Sequence, residues 1–148
     1  MFATHLECTS CSQREELGKL TTLCSACQLP LRVCYDLPHI ARVTSREEVS
    51  ARRGGLWVFH ELLPLADPEA RISLGEGGTA LLVLPRLAAA LGLRRLLLKD
   101  ESANPTGSFK ARGMSVAVSM AKALGARALA APSAGNAGGA LAAYGARA

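Results

Sequence analysis

Aromatic side chains are scarce: one Trp, two Tyr and three Phe, 4% of 148 residues. So few rings offer little for base stacking. The net charge is +5, but the basic residues are scattered, with Arg52-Arg53 and Arg94-Arg95 the only pairs. Such an excess reads as a solvated surface rather than a nucleic-acid footprint. Long apolar runs are missing as well. Apolar types make up 49% of the chain, yet no run reaches the roughly 18 residues that a spanning helix requires. The start, Met1 to Cys8, has no basic region followed by an apolar stretch, which argues against a signal peptide. The chain is therefore expected to be cytoplasmic, with neither membrane nor nucleic acid among its partners. Much of the apolar fraction is alanine, which suits helices packed closely on a sheet.

Cysteine is confined to the first quarter of the chain, and its spacing there is regular. Cys8 and Cys11 form one C-x2-C pair; Cys24 and Cys27 form another. Two such pairs let four thiolates converge tetrahedrally on a structural zinc ion, each pair on a tight turn that aims both sulfurs one way. A segment this short buries too little apolar surface to fold unaided, so a metal would supply the missing stability. The alternative is a set of reduced surface or structural cysteines. The usual glycine after each second cysteine is absent: Ser12 and Gln28 stand there, in turns that glycine would ease. Cys34 falls outside the pattern and is expected to be a small buried apolar residue. His5, near Cys8, is a possible competing ligand. Residues 5–30 hold Arg14 and Lys19 against Glu7, Glu15 and Glu16, which argues against a nucleic-acid-binding ribbon.

Beyond this segment, residues 37–74 read as a connector that wraps a body. Ser45 followed by Glu47 and Glu48 marks a helix start. Gly54-Gly55 breaks the pattern, Trp57 is expected to anchor the arm on the core, and Pro38, Pro64 and Pro68 favour an extended path. From residue 75 the pattern alternates. Strands are expected at 81–84, 95–99 and 127–131, and helices from Pro85 to Leu91, from Phe109 to Leu124, and after Asn136. Gly92 and Gly125 serve as helix stops. Strand and helix alternating at these lengths argue for parallel βαβ units in an α/β fold, whose ligands sit at the carboxyl ends of the strands. The loops 100–108 and 132–138 both follow strands and fall at that edge.

Those loops carry the chemistry. Lys110 follows Gly107-Ser108-Phe109 at the start of a helix, where the positive end of the dipole favours a free amine able to form a Schiff base with a carbonyl cofactor. Its bland alternative is an ordinary solvated lysine. Ser133, Gly135, Asn136 and Gly138 make a tight loop that opens a helix, where free N–H groups attract anions. The bland alternative here is a capping turn, with Ser133 or Asn136 as N-cap.

The string Asn104-Pro-Thr-Gly-Ser-Phe-Lys110, followed by Ser133-Ala-Gly-Asn136-Ala-Gly138, resembles the active-site lysine and substrate loop of the fold-type-II pyridoxal-phosphate enzymes, the tryptophan synthase β-like group. Its wording is closest to the threonine synthases, and residues 75–148 resemble that family nearly throughout. Gly75 to Leu81 is similar to the family's EGGTPL segment, with Ala80 in place of the usual proline. The cysteine pairs resemble the metal-knuckle extension of many members.

The resemblance implies a division into 1–36, a zinc-ribbon-like segment; 37–74, the connector; and 75–148, the front of a catalytic domain with a partial fold-type-II parallel sheet. Pyridoxal 5'-phosphate would be held by Lys110, with Phe109 packing the lysine turn beneath it and Asn136 bonding its phenolic oxygen. Ser133, Ala134, Gly135, Ala137 and Gly138 would offer backbone N–H groups to the substrate carboxylate, and Thr79 would line the substrate side. The reaction implied is conversion of O-phosphohomoserine and water to threonine and phosphate, by an enzyme that at full length is a homodimer. Family chains are far longer, so this one is expected to be an incomplete front portion, inactive alone. Two rival readings are another fold-type-II lyase, akin to threonine dehydratase or cysteine synthase, and a non-catalytic zinc-ribbon module carrying an enzyme remnant.

Overall fold

The computed structural model describes residues 2–148. The chain opens with strand β1 (Ala3–Cys8), which pairs antiparallel with β2 (Arg14–Glu15) on one side and β3 (Leu31–Tyr35) on the other. The two cysteine turns lie between these strands. Ser12 and Gln28 take φ of 59° and 58°, the only non-glycine residues in the left-handed region among those described. The turns thus keep the geometry that glycine would ease, at a cost of about 1–2 kcal/mol per residue.

The connector is helical rather than extended. Helix α1 (Leu37–Val43) starts where Asp36 accepts the His39 N–H at 2.9 Å, with Pro38 in the first turn. Helix α2 (Arg46–Ala51) begins in a reciprocal cap. Ser45 Oγ accepts the Glu48 N–H at 3.1 Å, and Glu48 accepts the Ser45 N–H at 2.6 Å. Tight helical turns follow at Leu56–Leu62 and Pro68–Ala70. The prolines did not extend this segment because Pro38 and Pro68 sit at helix starts, where a missing N–H costs nothing and Asp36 and Asp67 cap the turn.

Next come β4 (Leu81–Val83), α3 (Pro85–Ala90) and β5 (Leu97–Lys99). Contrary to the parallel arrangement expected, β4 and β5 pair antiparallel, Leu82 opposite Leu98. The six-residue α3 ends at Gly92, whose φ of +67° turns the chain straight back alongside β4. Helices α4 (Lys110–Ala123) and α5 (Asn136–Arg147) complete the fold as a mixed α/β structure. The strand expected at 127–131 does not form. Those residues line a groove of about 690 Å³ over α4 and α5, with no strand partner among the described residues. No described helix is long and apolar enough to cross a membrane.

The apolar core lies between α4 and α5: Ala111 and Val118 meet Ala140 and Tyr144, with Ile72, Met114 and Leu141 around them. Beside it sits a buried carboxylate. Glu76 is 1% exposed; its Oε1 is reached by the Ser115 hydroxyl (2.6 Å) and Trp57 Nε1–H (2.9 Å). Its Oε2 accepts from the Tyr144 hydroxyl (2.6 Å), the Leu74 N–H (3.0 Å) and Ser73 (3.2 Å). Trp57 therefore does anchor the connector, with Arg71 stacked 5.4 Å above its ring. The Glu76 carbonyl also accepts the Leu56 N–H, and a Cβ on Gly55 would lie 1.8 Å from that oxygen.

Candidate active site and cysteine centre

The lysine turn is built by Asn104, which is 5% exposed. Its side-chain N–H groups donate to the Glu101 carbonyl (2.8 Å) and carboxylate (3.1 Å), and its Oδ1 accepts the Gly77 N–H at 3.0 Å. One side chain thus ties the glycine-rich 75–80 segment to the turn. The Gly107 N–H donates to the Asn104 carbonyl, and Gly107 has φ +69°, so the chain swings into α4. Lys110 is the first residue of that helix, exposed, its amine 4.7 Å over the face of Phe109. Phe109 is itself 57% exposed, an open platform rather than a packed wedge. Thr106 Oγ1 is buried in the same turn with no hydrogen-bond partner.

Thr79 faces an ion pair. Its hydroxyl donates to Glu101 Oε1 at 2.6 Å, and Arg112 grips both oxygens of that carboxylate at 2.6 and 2.8 Å. The Arg112 guanidinium and the Thr79 hydroxyl hold Glu101 down to about 2. Burial alone would raise Glu76, but hydrogen bonds from Ser115, Tyr144 and Leu74 outweigh it and bring the carboxyl below its ordinary value. Neither Glu76 nor Arg112 stood out in the sequence. Their signal is faint, a single acid beside a glycine pair and a single base two residues past Lys110.

At the second loop, Ser133 Oγ accepts the N–H groups of Gly135 (3.1 Å) and Gly138 (2.8 Å). Ser133 lies two residues ahead of Gly135, the N-cap of α5, and these two N–H groups are engaged internally by its hydroxyl. Asn136 is the first residue of α5 and is exposed, beside Ala134 and Ala137. Lys122, near the end of α4, donates to the Ala148 carbonyl at the end of α5 (2.5 Å). That contact joins the last turns of the two helices, whose first residues are Lys110 and Asn136.

Far along the chain, the four paired cysteines do come together. Sulfur separations are 3.4 Å for Cys8–Cys27, 3.5 Å for Cys11–Cys27 and 3.6 Å for Cys11–Cys24. Tetrahedral thiolates on zinc lie about 3.7 Å apart, so the set is already shaped for such an ion. The N–H groups of Cys11 and Ser10 point at Cys8 Sγ and lower its thiol to about 6. His5 stands outside this group; its ring instead neighbours Glu7 and Cys34. Cys34 is half-buried on β3 rather than a core residue.

A family model described as pyridoxal-phosphate dependent enzyme matches residues 72–148. The threonine synthase of Methanocaldococcus jannaschii is 39% identical over 140 residues, 95% of this chain and 34% of that protein. The threonine synthase of Methanosarcina acetivorans is 38% identical over 144 residues, 97% of this chain and 35% of that protein. For Halalkalibacterium halodurans the figures are 46% over 100 residues, 68% and 28%. The chain thus spans about a third of the length of these curated relatives. The matched region begins at Ile72, where the chain enters the Glu76 core, and takes in the lysine turn and both long helices; this chain belongs to the pyridoxal-phosphate dependent enzymes.

Proposed function

We propose that this chain supplies the lysine and asparagine loops of a threonine-synthase-like lyase, acting on O-phosphohomoserine and water to give threonine and phosphate. The observation that carries the reading is that α4 and α5 pack on each other, with an exposed primary amine on the first residue of one and an exposed carboxamide on the first residue of the other. The residues fit pyridoxal 5'-phosphate: Thr106 Oγ1 is a buried hydroxyl with no partner in the lysine turn, and Lys110 makes no carboxylate ion pair among the described residues. When bound, that cofactor supplies an electron sink for breaking bonds next to the substrate amine.

The chain's own groups bind, orient and move protons. Lys110 Nζ would hold the cofactor and its free amine would move protons at successive substrate carbons. The Asn136 carboxamide would hold the ring at its phenolic oxygen. N–H groups at the start of α5, those of Ala134 and Ala137 with Gly135 and Gly138, suit a substrate carboxylate. Access for Gly135 and Gly138 requires Ser133 to turn away. Thr79, held by Glu101 and Arg112, gives the substrate side a fixed wall. The four cysteines are read as a structural zinc ribbon supporting the front of the molecule.

The chain has just four lysines, at 19, 99, 110 and 122, which makes the test sharp. Cofactor is added, the imine is reduced with borohydride, and the modified peptide is mapped. Label on Lys110, lost in K110A, is the expected result. With the relatives' remaining two thirds of the polypeptide present, K110A should lower phosphate release at least a thousandfold. Label spread evenly over all four lysines would overturn the assignment.

A further inference from the structure

The antiparallel ladder gathers three side chains that the reading above leaves without a role. His5 lies opposite Cys34, and Glu7 is two residues along β1 on the same face. A register irregularity between Ala3 and His5 re-aims the strand there. One nitrogen, one sulfur and one carboxylate oxygen from these residues all lie within 4.8 Å of one another.

The histidine's tautomer follows from its neighbour. Thr4 donates its single hydroxyl proton to the Cys34 carbonyl at 3.2 Å. With that proton so used, the same oxygen accepts from His5 Nδ1, 2.9 Å away, in the tautomer that carries its hydrogen on Nδ1. Nε2 is left with its lone pair, buried and without a hydrogen-bond partner. Glu7 Oε2, 3.7 Å from it, is another acceptor. Two acceptors and a thiol facing one point are matched by a cation placed between them. A ring fixed through Nδ1–H, with Nε2 turned inward, is how ligating histidines are held.

We propose that His5 Nε2, Cys34 Sγ and Glu7 Oε2 bind a second divalent transition-metal ion, zinc in the first instance, distinct from the four-cysteine centre. The Cys34 proton passes to solvent, no electrons are exchanged, and water fills the fourth position. Tetrahedral ligands of these types lie about 3.3–3.8 Å apart, so the three atoms close by no more than about 1.5 Å. Arg32 on Glu7 Oε1, with Arg14 Nε 3.9 Å from Oε2, pins the carboxylate and also makes this site the weaker of the two.

Cobalt(II) titration of the whole chain tests this, because each thiolate ligand adds its own charge-transfer intensity. The expected result is a one-thiolate spectrum with nitrogen and oxygen ligands, filled after the four-thiolate bands. H5A and C34S should both abolish it while keeping the four-thiolate bands, and E7Q should weaken it at least tenfold. T4V keeps every ligand but removes the tautomer lock, and should weaken it several-fold; this variant decides the matter where H5A or C34S fails to fold. Absence of the one-thiolate spectrum in the unmodified chain, its survival in H5A or C34S, or unweakened binding in E7Q and T4V overturns the proposal.

Discussion

At the residue scale, Glu76 concentrates more structure than any other side chain in the catalytic portion. Its two oxygens accept from Trp57, Ser115, Tyr144, Leu74 and Ser73, joining the connector, α4 and α5 at one carboxylate. Only an acceptor satisfies that arrangement. E76Q would turn an –NH2 toward two or more donors and leave buried groups unpaired, at about 2–4 kcal/mol. Y144F removes one donor to a charged acceptor and should cost about 1.5–3 kcal/mol, partly offset by the four bonds that remain. Denaturant midpoints of the two variants at pH 7 provide the check. Equal losses would mean that the carboxylate is not held ionised.

At the element scale, the cysteine turns keep left-handed backbone without glycine. Ser12 and Gln28 occupy the two positions where strain is concentrated, and no other non-glycine residue described does so. Glycine there removes the Cβ clash but adds freedom to the unfolded chain, so the net gain for S12G or Q28G is about 0.5–1 kcal/mol each. Thermal unfolding at fixed metal content reads this directly, and destabilisation by both variants would refute it.

The same elements show what the sequence made legible. Local signals sufficed for Pro85 opening α3, Ser45 capping α2, Gly125 ending α4 and Asn136 opening α5. What failed were non-local matters. Residues 127–131 have the apolar content of a strand, yet a strand exists only with a partner, and none is present in the described residues. The antiparallel return of β5 depends on Gly92 reversing the chain, which spacing alone does not reveal. At the site, Lys110 and Asn136 were visible through their motifs. The Asn104 bridge, the orphaned Thr106 hydroxyl and the Arg112–Glu101 fork required coordinates, because each is defined by which atoms meet.

At the scale of the whole molecule, three carboxylates join its parts, and all three are held below their ordinary range. Arg52 and the Thr44 hydroxyl bring Glu61 down to about 2, tying α1 and α2 to the turn that follows. Arg112 does the same for Glu101 at the lysine turn, and Glu76 joins the connector to the two long helices. The sign follows from linkage. A carboxylate with a depressed folded value stabilises the fold fully above its unfolded value, near 4.5, and that stabilisation is lost as pH falls toward about 2. The melting temperature should therefore be flat from pH 7 to about 5 and then drop steeply. E61Q should melt lower at pH 7, since the Arg52 guanidinium loses its partner, and its acid limb should be shallower because one of the contributing protonations is gone. Comparing variant and parent at equal metal content cancels the separate effect of acid on the cysteine centre. Parallel acid limbs would show that Glu61 is not ionised in the fold, and the ion pair with Arg52 would then contribute nothing to holding the connector in place.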